Sequence, residues 1–259
     1  MSKHCYVLGS PVDIDTPKIV NGRNVDSIEK YPWVVALYGS SGTSRPFCGG
    51  TLLDSTTIIT AGHCSTGQTP SRVQALAHRL DQKKSPKDEQ SAFFKVNSIK
   101  VHPKYDDSGD DADNNIWYDV AIWKVTLVSG VAPTTQVVLN KGELDVPGSG
   151  LTVVGWGATR YAGSSSSILK ETDVPVTTNE VCFKGYPKLE TNPTAMCAGF
   201  ADGRTDACNG DSGGPLFAIK DGKVILTGIV STGFECARPN KPGIYTRISY
   251  IVDWINQNK

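Results

Sequence analysis

Short apolar runs rich in β-branched residues recur along the chain, and each is closed within a few positions by Gly, Pro, Asn or Asp. They include "WVVALYG" from Trp33, "TTIITAG" from Thr56, "VQALAH" from Val73, "VNSIKVH" from Val96 and "VAIWKV" from Val120. Further along come "LTVVGWG" from Leu151, "GPLFAI" from Gly214, "KVILTGIV" from Lys223 and "GIYTRI" from Gly243. Runs this short, bounded by turn formers, suit strands, whose side chains alternate between two faces. Many strands without a fixed-period repeat predict an all-β barrel or sandwich, not a solenoid or propeller. A length of 259 residues fits one large β domain or two small lobes sharing a cleft. Only the end of the chain departs from this pattern. There "ISYIVDWINQNK" sets Ile248, Ile251, Val252 and Ile255 on one helical face, which predicts a terminal helix docked on the β body.

The 26 Lys and Arg balance the 26 Asp and Glu, so the formal net charge is zero, which argues against nucleic acid or an anionic membrane as partner. No apolar run reaches bilayer-spanning length. Residues 1–18 lack the apolar segment of a secretory signal, as expected if a signal has been removed or Met1 is an added start. The seven cysteines form no Cys-x-x-Cys pair and no zinc-spaced Cys/His cluster. They read either as buried thiols or, more in keeping with their number, as a disulfide framework from an oxidising compartment with Cys5 left over. Three polar stretches read as solvated loops: a mixed-charge one over 79–90, an acidic one over 105–115, and a serine run over 159–170.

The chemistry concentrates in "DACNGDSGGP", which runs from Asp206 to Pro215. A serine hydroxyl is a weak nucleophile that needs a base, and the base needs a group to fix its tautomer. The chain has four histidines, and His63 in "TAGHC" follows a β-rich run. Asp119 in "YDVAI" lies within an apolar run, where a carboxylate is costly to bury without a donor, and an imidazole N–H would serve.

Taken together and in this order, "TAGHC", "YDVAI" and "GDSGGP" resemble the chymotrypsin/trypsin family of serine proteases, with "IVNG" at Ile19, "CGG" at Cys48, "GWG" at Gly155 and "KPGIYTRI" at Lys241 extending the likeness from Ile19 to the C-terminus. The resemblance implies an all-β fold of two antiparallel six-stranded Greek-key β-barrels with a C-terminal helix. Residues 1–18 would be a leader and activation segment, 19–131 the first lobe and 132–259 the second, the two lobes making one peptidase domain over 19–259. It implies that Ser212 attacks the scissile carbonyl, His63 shuttles the proton and Asp119 orients His63, with Ser231 supporting the aspartate. The backbone N–H groups of Gly210 and Ser212 would form the oxyanion hole.

The same resemblance gives each aspartate of the serine loop a cationic partner. Cleavage after Lys18 would free Ile19, whose α-ammonium would pair with Asp211 and switch on the oxyanion hole. Asp206 would lie at the base of the specificity pocket and receive a substrate Lys or Arg between Gly233 and Gly243. Disulfides Cys48–Cys64, Cys182–Cys197 and Cys208–Cys236 are implied as well. The implied protein is a secreted, extracellular, monomeric endopeptidase made as a zymogen. Its partners would be protein or peptide substrates and protein protease inhibitors, with no nucleic acid and no membrane. No cofactor and no metal is expected, because the 79–90 loop is lengthened and "AHRL" lacks the glutamate that leads a calcium loop.

Several positions depart from the family pattern. Pro46 and Ala36 stand where relatives hold a histidine and a serine that restrain the precursor. Thr232 replaces a tryptophan beside the pocket, and Glu235 stands near its mouth. Two alternatives to this reading are a binding protein on a protease fold and a serine protease of other specificity.

Overall fold

The structure, a computed structural model, describes residues 19–108, 115–134 and 136–259. A short strand β1 (Arg23–Asn24) precedes six strands that close on themselves. These are β2 (Val34–Gly39), β3 (Cys48–Asp54), β4 (Thr57–Thr60), β5 (Val73–Ala77), β6 (Ala92–Val101) and β7 (Ala121–Ser129). They form a closed antiparallel barrel in the order β2-β3-β4-β7-β6-β5, which leaves no free edge. Val34 to Tyr38 are all buried, because β2 faces the barrel interior on one side and packed neighbours on the other.

A short β8 (Val137–Leu139) leads to the second set: β9 (Gly150–Gly155), β10 (Lys170–Pro175), β11 (Ala195–Ala198), β12 (Pro215–Lys220), β13 (Lys223–Thr232) and β14 (Gly243–Arg247). They pair antiparallel in the order β10-β9-β12-β13-β14-β11, with β1 added outside β10 and β8 parallel to β13. An isolated bridge between Val176 and Ala198 joins the end of β10 back to β11 and closes this second ring of six. The all-β, two-barrel expectation therefore holds, with β8 as a parallel addition.

One short helix, α1 (Asn179–Gly185), is capped by Thr178, whose hydroxyl accepts from Val181 N–H at 3.2 Å. The terminal helix α2 (Ile248–Asn258) buries Ile248, Ile251 and Ile255, and Val252 packs half-buried beside them. Among the described residues no helix is long and apolar enough to cross a membrane.

The charged segment "KETDVP" forms β10 although it carries no apolar run. Glu171 is buried there because three donors from the start of the domain reach it: Arg23 at 2.8 Å, Lys30 at 2.7 Å and the Tyr31 hydroxyl. Tyr31 and Trp33 in turn meet Phe217 of β12 edge-on, with centroids 5.3 and 4.7 Å away, and so stitch the two barrels together. The barrels also touch through backbone. Gly49 N–H donates to Ser212 O at 2.8 Å, and a side chain on Gly49 would begin 3.0 Å from Gly214 Cα. The serine loop thus sits on the seam.

Candidate active site

Strands β4 and β7 pair with Thr60 opposite Ala121, so the residues just after β4 and just before β7 emerge at the same end of the ladder. That register brings His63 to Asp119. Asp119 is 1% exposed, and both its oxygens are used. Oδ1 accepts from the His63 backbone N–H at 2.8 Å. Oδ2 lies 2.8 Å from His63 Nδ1 and accepts from the Ser231 hydroxyl at 2.6 Å. This places a proton on Nδ1 and leaves Nε2 as the basic nitrogen. Burial works against charging either partner, but the pairing prevails. The imidazole and Ser231 hold the Asp119 carboxyl below its ordinary range. Burial lowers the His63 pKa, yet the hydrogen bond and charge of Asp119, with the charge of Asp107, leave it raised.

Ser212 lies in the turn between β11 and β12. Three N–H groups of that turn are bonded: Asp211 to Cys208 O at 2.9 Å, Gly213 to Val230 O at 2.8 Å and Gly214 to Asp211 O at 2.9 Å. The N–H groups of Gly210 and Ser212, on either side of Asp211, have no acceptor among the described residues. Gly210 holds φ +101°, a conformation that side-chain-bearing residues rarely adopt. Two free donors flanking one residue of a turn can receive a developing oxyanion.

Ser212 and His63 line one cavity of about 430 Å³. No hydrogen bond joins them in this structure, and His63 Nε2 lies 3.6 Å from Cys64 Sγ. The sulfurs of Cys48 and Cys64 also cluster near the ring, but they are joined to each other as a disulfide and carry no thiolate for a metal.

Asp206, which is 5% exposed, lines the same cavity. Its Oδ2 accepts from Ala237 N–H at 3.0 Å, whereas Oδ1 has no hydrogen-bond partner. Burial therefore raises this carboxyl to about 7, against the pull of the Ala237 and Ala207 N–H groups. A Cβ on Gly243 would fall 2.8 Å from Oδ1, so any side chain there would crowd that oxygen. Gly233 lines the wall, and a Cβ there would meet Gly243 Cα at 4.0 Å across the opening. The buried Tyr245 hydroxyl, on the same face of β14 two residues after Gly243, also lacks a partner. Thr232 and Glu235 line the cavity too, and Glu235 is engaged by Arg238.

Asp211 points the other way. Its oxygens accept from Gly157 N–H at 2.8 Å and Cys208 N–H at 2.9 Å, and no cation pairs with it among the described residues. Burial raises it to about 6, with those two N–H groups opposing. A Cβ on Gly155 would lie 2.0 Å from its Oδ1, which explains why "GWG" is glycine at that contact. Ile19 is fully buried and holds φ +53°, and Val20 forms an antiparallel bridge with Asp206. Lys18 and Cys5 lie outside the described residues, as do residues 109–114 of the acidic loop. The rest of that loop reaches the site: Asp107 lines the cavity and accepts from Tyr105 Oη at 2.7 Å.

Pro46 lines a neighbouring cavity and Ala36 is buried in β2. Cysteines pair as 48–64, 182–197 and 208–236. The 79–90 loop is organised from within by a buried ion pair, Arg79 Nη1 to Glu89 Oε2 at 2.8 Å.

A family model described as Trypsin matches residues 19–255. The chain is similar to Trypsin-1 of Astacus astacus, at 37% identity over 220 residues, covering 84% of this chain and 90% of that protein. It is 32% identical over 256 residues to the Clotting factor G beta subunit of Tachypleus tridentatus, covering 91% and 78%. To the Proclotting enzyme of the same species it is 34% identical over 256 residues, covering 94% and 66%.

Proposed function

Because the chain belongs to the trypsin family and is a serine endopeptidase, we propose that it cleaves protein substrates after Lys or Arg, with Ser212 as nucleophile, His63 as base and Asp119 as the group that orients His63. The observation that carries the specificity is the unpartnered Oδ1 of Asp206 in the cavity that Ser212 and His63 also line. A buried carboxylate oxygen without a donor is costly, and a substrate ammonium or guanidinium entering the cavity supplies the missing charge and hydrogen bonds.

In the proposed reaction His63 Nε2 takes the Ser212 proton as Oγ adds to the scissile carbonyl, and the imidazolium is held by Asp119. The carbonyl oxygen, now negative, is received by the Gly210 and Ser212 N–H groups, each such donor being worth about 3 kcal/mol in the transition state. His63 then protonates the leaving amine, and water repeats the sequence on the acyl-enzyme.

Activation by cleavage after Lys18 belongs to the same reading. It is supported by the burial of Ile19, by the bridge from Val20 to Asp206, and by a buried Asp211 that lacks a cation. A β-branched residue at positive φ is strained by about 1–3 kcal/mol. Cutting the bond before Ile19 removes that torsion and creates the α-ammonium that Asp211 lacks. Burying such an ion pair adds little net stability, so its role is a switch. The lobes over 19–131 and 132–259 then form one catalytic unit. Three disulfides support an extracellular location.

The test is digestion of a peptide library, read for the residue before each cut, with N-terminal sequencing of the enzyme in the same sample. Lys or Arg before the cut and an enzyme beginning at Ile19 are the expected results. Cuts after apolar residues, with Lys and Arg avoided, refute the assignment of Asp206.

A further inference from the structure

A second cavity, of about 520 Å³, opens on the other side of Asn209 and Gly210. Its wall includes Arg45, Lys83 and the serines 165–167, and among the described residues no Asp or Glu lines it. The first cavity has the opposite character, with Asp107, Asp206 and Glu235 in its wall and, among the described residues, no Lys or Arg. Neither Arg45 nor Lys83 takes part in an ion pair among the described residues, and both are exposed.

Gln82 adds a second observation. It is 9% exposed and lines the same cavity. Its Oε1 is fixed as the acceptor because the Tyr38 hydroxyl and Arg79 Nη2, the latter at 3.4 Å, both donate to it. Its Nε2 is therefore a buried donor, and it has no acceptor. An unpaired amide N–H is a fixed partial positive charge, and buried in the wall of this cavity it acts in the same sense as Arg45 and Lys83.

A peptide seated with its basic side chain on Asp206 and its scissile carbonyl at the Gly210 and Ser212 N–H groups occupies the first cavity, and the second cavity adjoins it at Asn209 and Gly210. The first cavity already contains the basic side chain and the edge from Ser231 to Gly233. Residues after the cut that continue past Gly210 meet the second cavity. At about 3.3–3.6 Å per extended residue, the first few of them cover it.

We propose that this second cavity selects substrates carrying Asp or Glu within the first few residues after the scissile bond, with Arg45 and Lys83 as the specificity-determining cations. The proposal rests on the reading of Ser212 and Gly210 given above. It assigns the serine run and the lengthened 79–90 loop a shared task, since both contribute to one wall.

The test uses two peptides identical up to and including a Lys at the cut, one followed by Asp-Asp and the other by Lys-Lys, with the ratio of their kcat/KM values as readout. A ratio is independent of the fraction of enzyme that is correctly folded. At low ionic strength the native enzyme favours the acidic peptide by about tenfold, as two exposed ion pairs allow, and the preference shrinks in high salt. The double variant Arg45→Ala, Lys83→Ala brings the ratio near one, and Arg45→Glu, Lys83→Glu inverts it. Equal rates for the two peptides in the native enzyme, with cutting after Lys intact, overturn this proposal alone. Failure to cut either peptide after Lys overturns the Asp206 assignment and this proposal with it.

Discussion

On one side of Gly210 the cleft is lined by carboxylates and on the other by cations, yet the two sides do not act with equal force. Asp206 is 5% exposed and one of its oxygens has no partner, which in the proposed reading a substrate cation supplies. Arg45 and Lys83 are exposed, and water already solvates them. Removing one partner of a desolvated pair costs about 3–5 kcal/mol, whereas an exposed pair contributes about 0.2–1 kcal/mol. On the proposed reading, depth decides which side sets the class of substrate and which side only ranks members of that class. Glu235 illustrates the point within the first cavity, since Arg238 engages its carboxylate.

The largest effect tests the chemistry that both sides serve. Ser212→Ala lowers kcat by about a millionfold, measured with a chromogenic Lys ester, because nucleophile and base act as a unit. Next comes Asp206→Ser, which lowers kcat/KM for Lys and Arg substrates by about a hundredfold to several thousandfold while leaving hydrolysis of an apolar ester much less affected. An equal loss on both substrates would remove the distinction between the two sides. Gly243→Ala places a methyl group 2.8 Å from Asp206 Oδ1 and 3.1 Å from the Tyr245 ring, and kcat/KM for basic substrates falls by about tenfold or more. Glu235→Gln is the smallest, a change of about threefold or less in the same assay, because that carboxylate is paired and partly solvated.

Much of this was legible in the sequence. The apolar runs became β2, β4 to β7, β9 and β12 to β14, because burial on one or both faces leaves a hydropathy signal. β10 left no such signal. Its Glu171 is acceptable in a sheet only through Arg23 and Lys30, more than a hundred residues earlier, and local pattern carries no record of that contact. β8 is a three-residue parallel addition, too short to register. At the site, His63, Asp119 and Ser212 were readable because each sits in its own short motif, and the β4–β7 register then unites the first two. The unpartnered Tyr245 hydroxyl, the Gly157 N–H on Asp211 and the orphaned Gln82 amide depend on backbone placement in three dimensions. No residue type announces them.

The account turns on Asp206 awaiting a cation, and calorimetry of benzamidine binding tests this most directly. One amidinium binds per molecule of the native enzyme. Because binding favours the ionised carboxylate, affinity is full above about pH 7 and weakens as the pH falls through it. In Asp206→Ser, binding is lost at every pH. Benzamidine that binds the native and Asp206→Ser proteins with equal affinity would contradict the account.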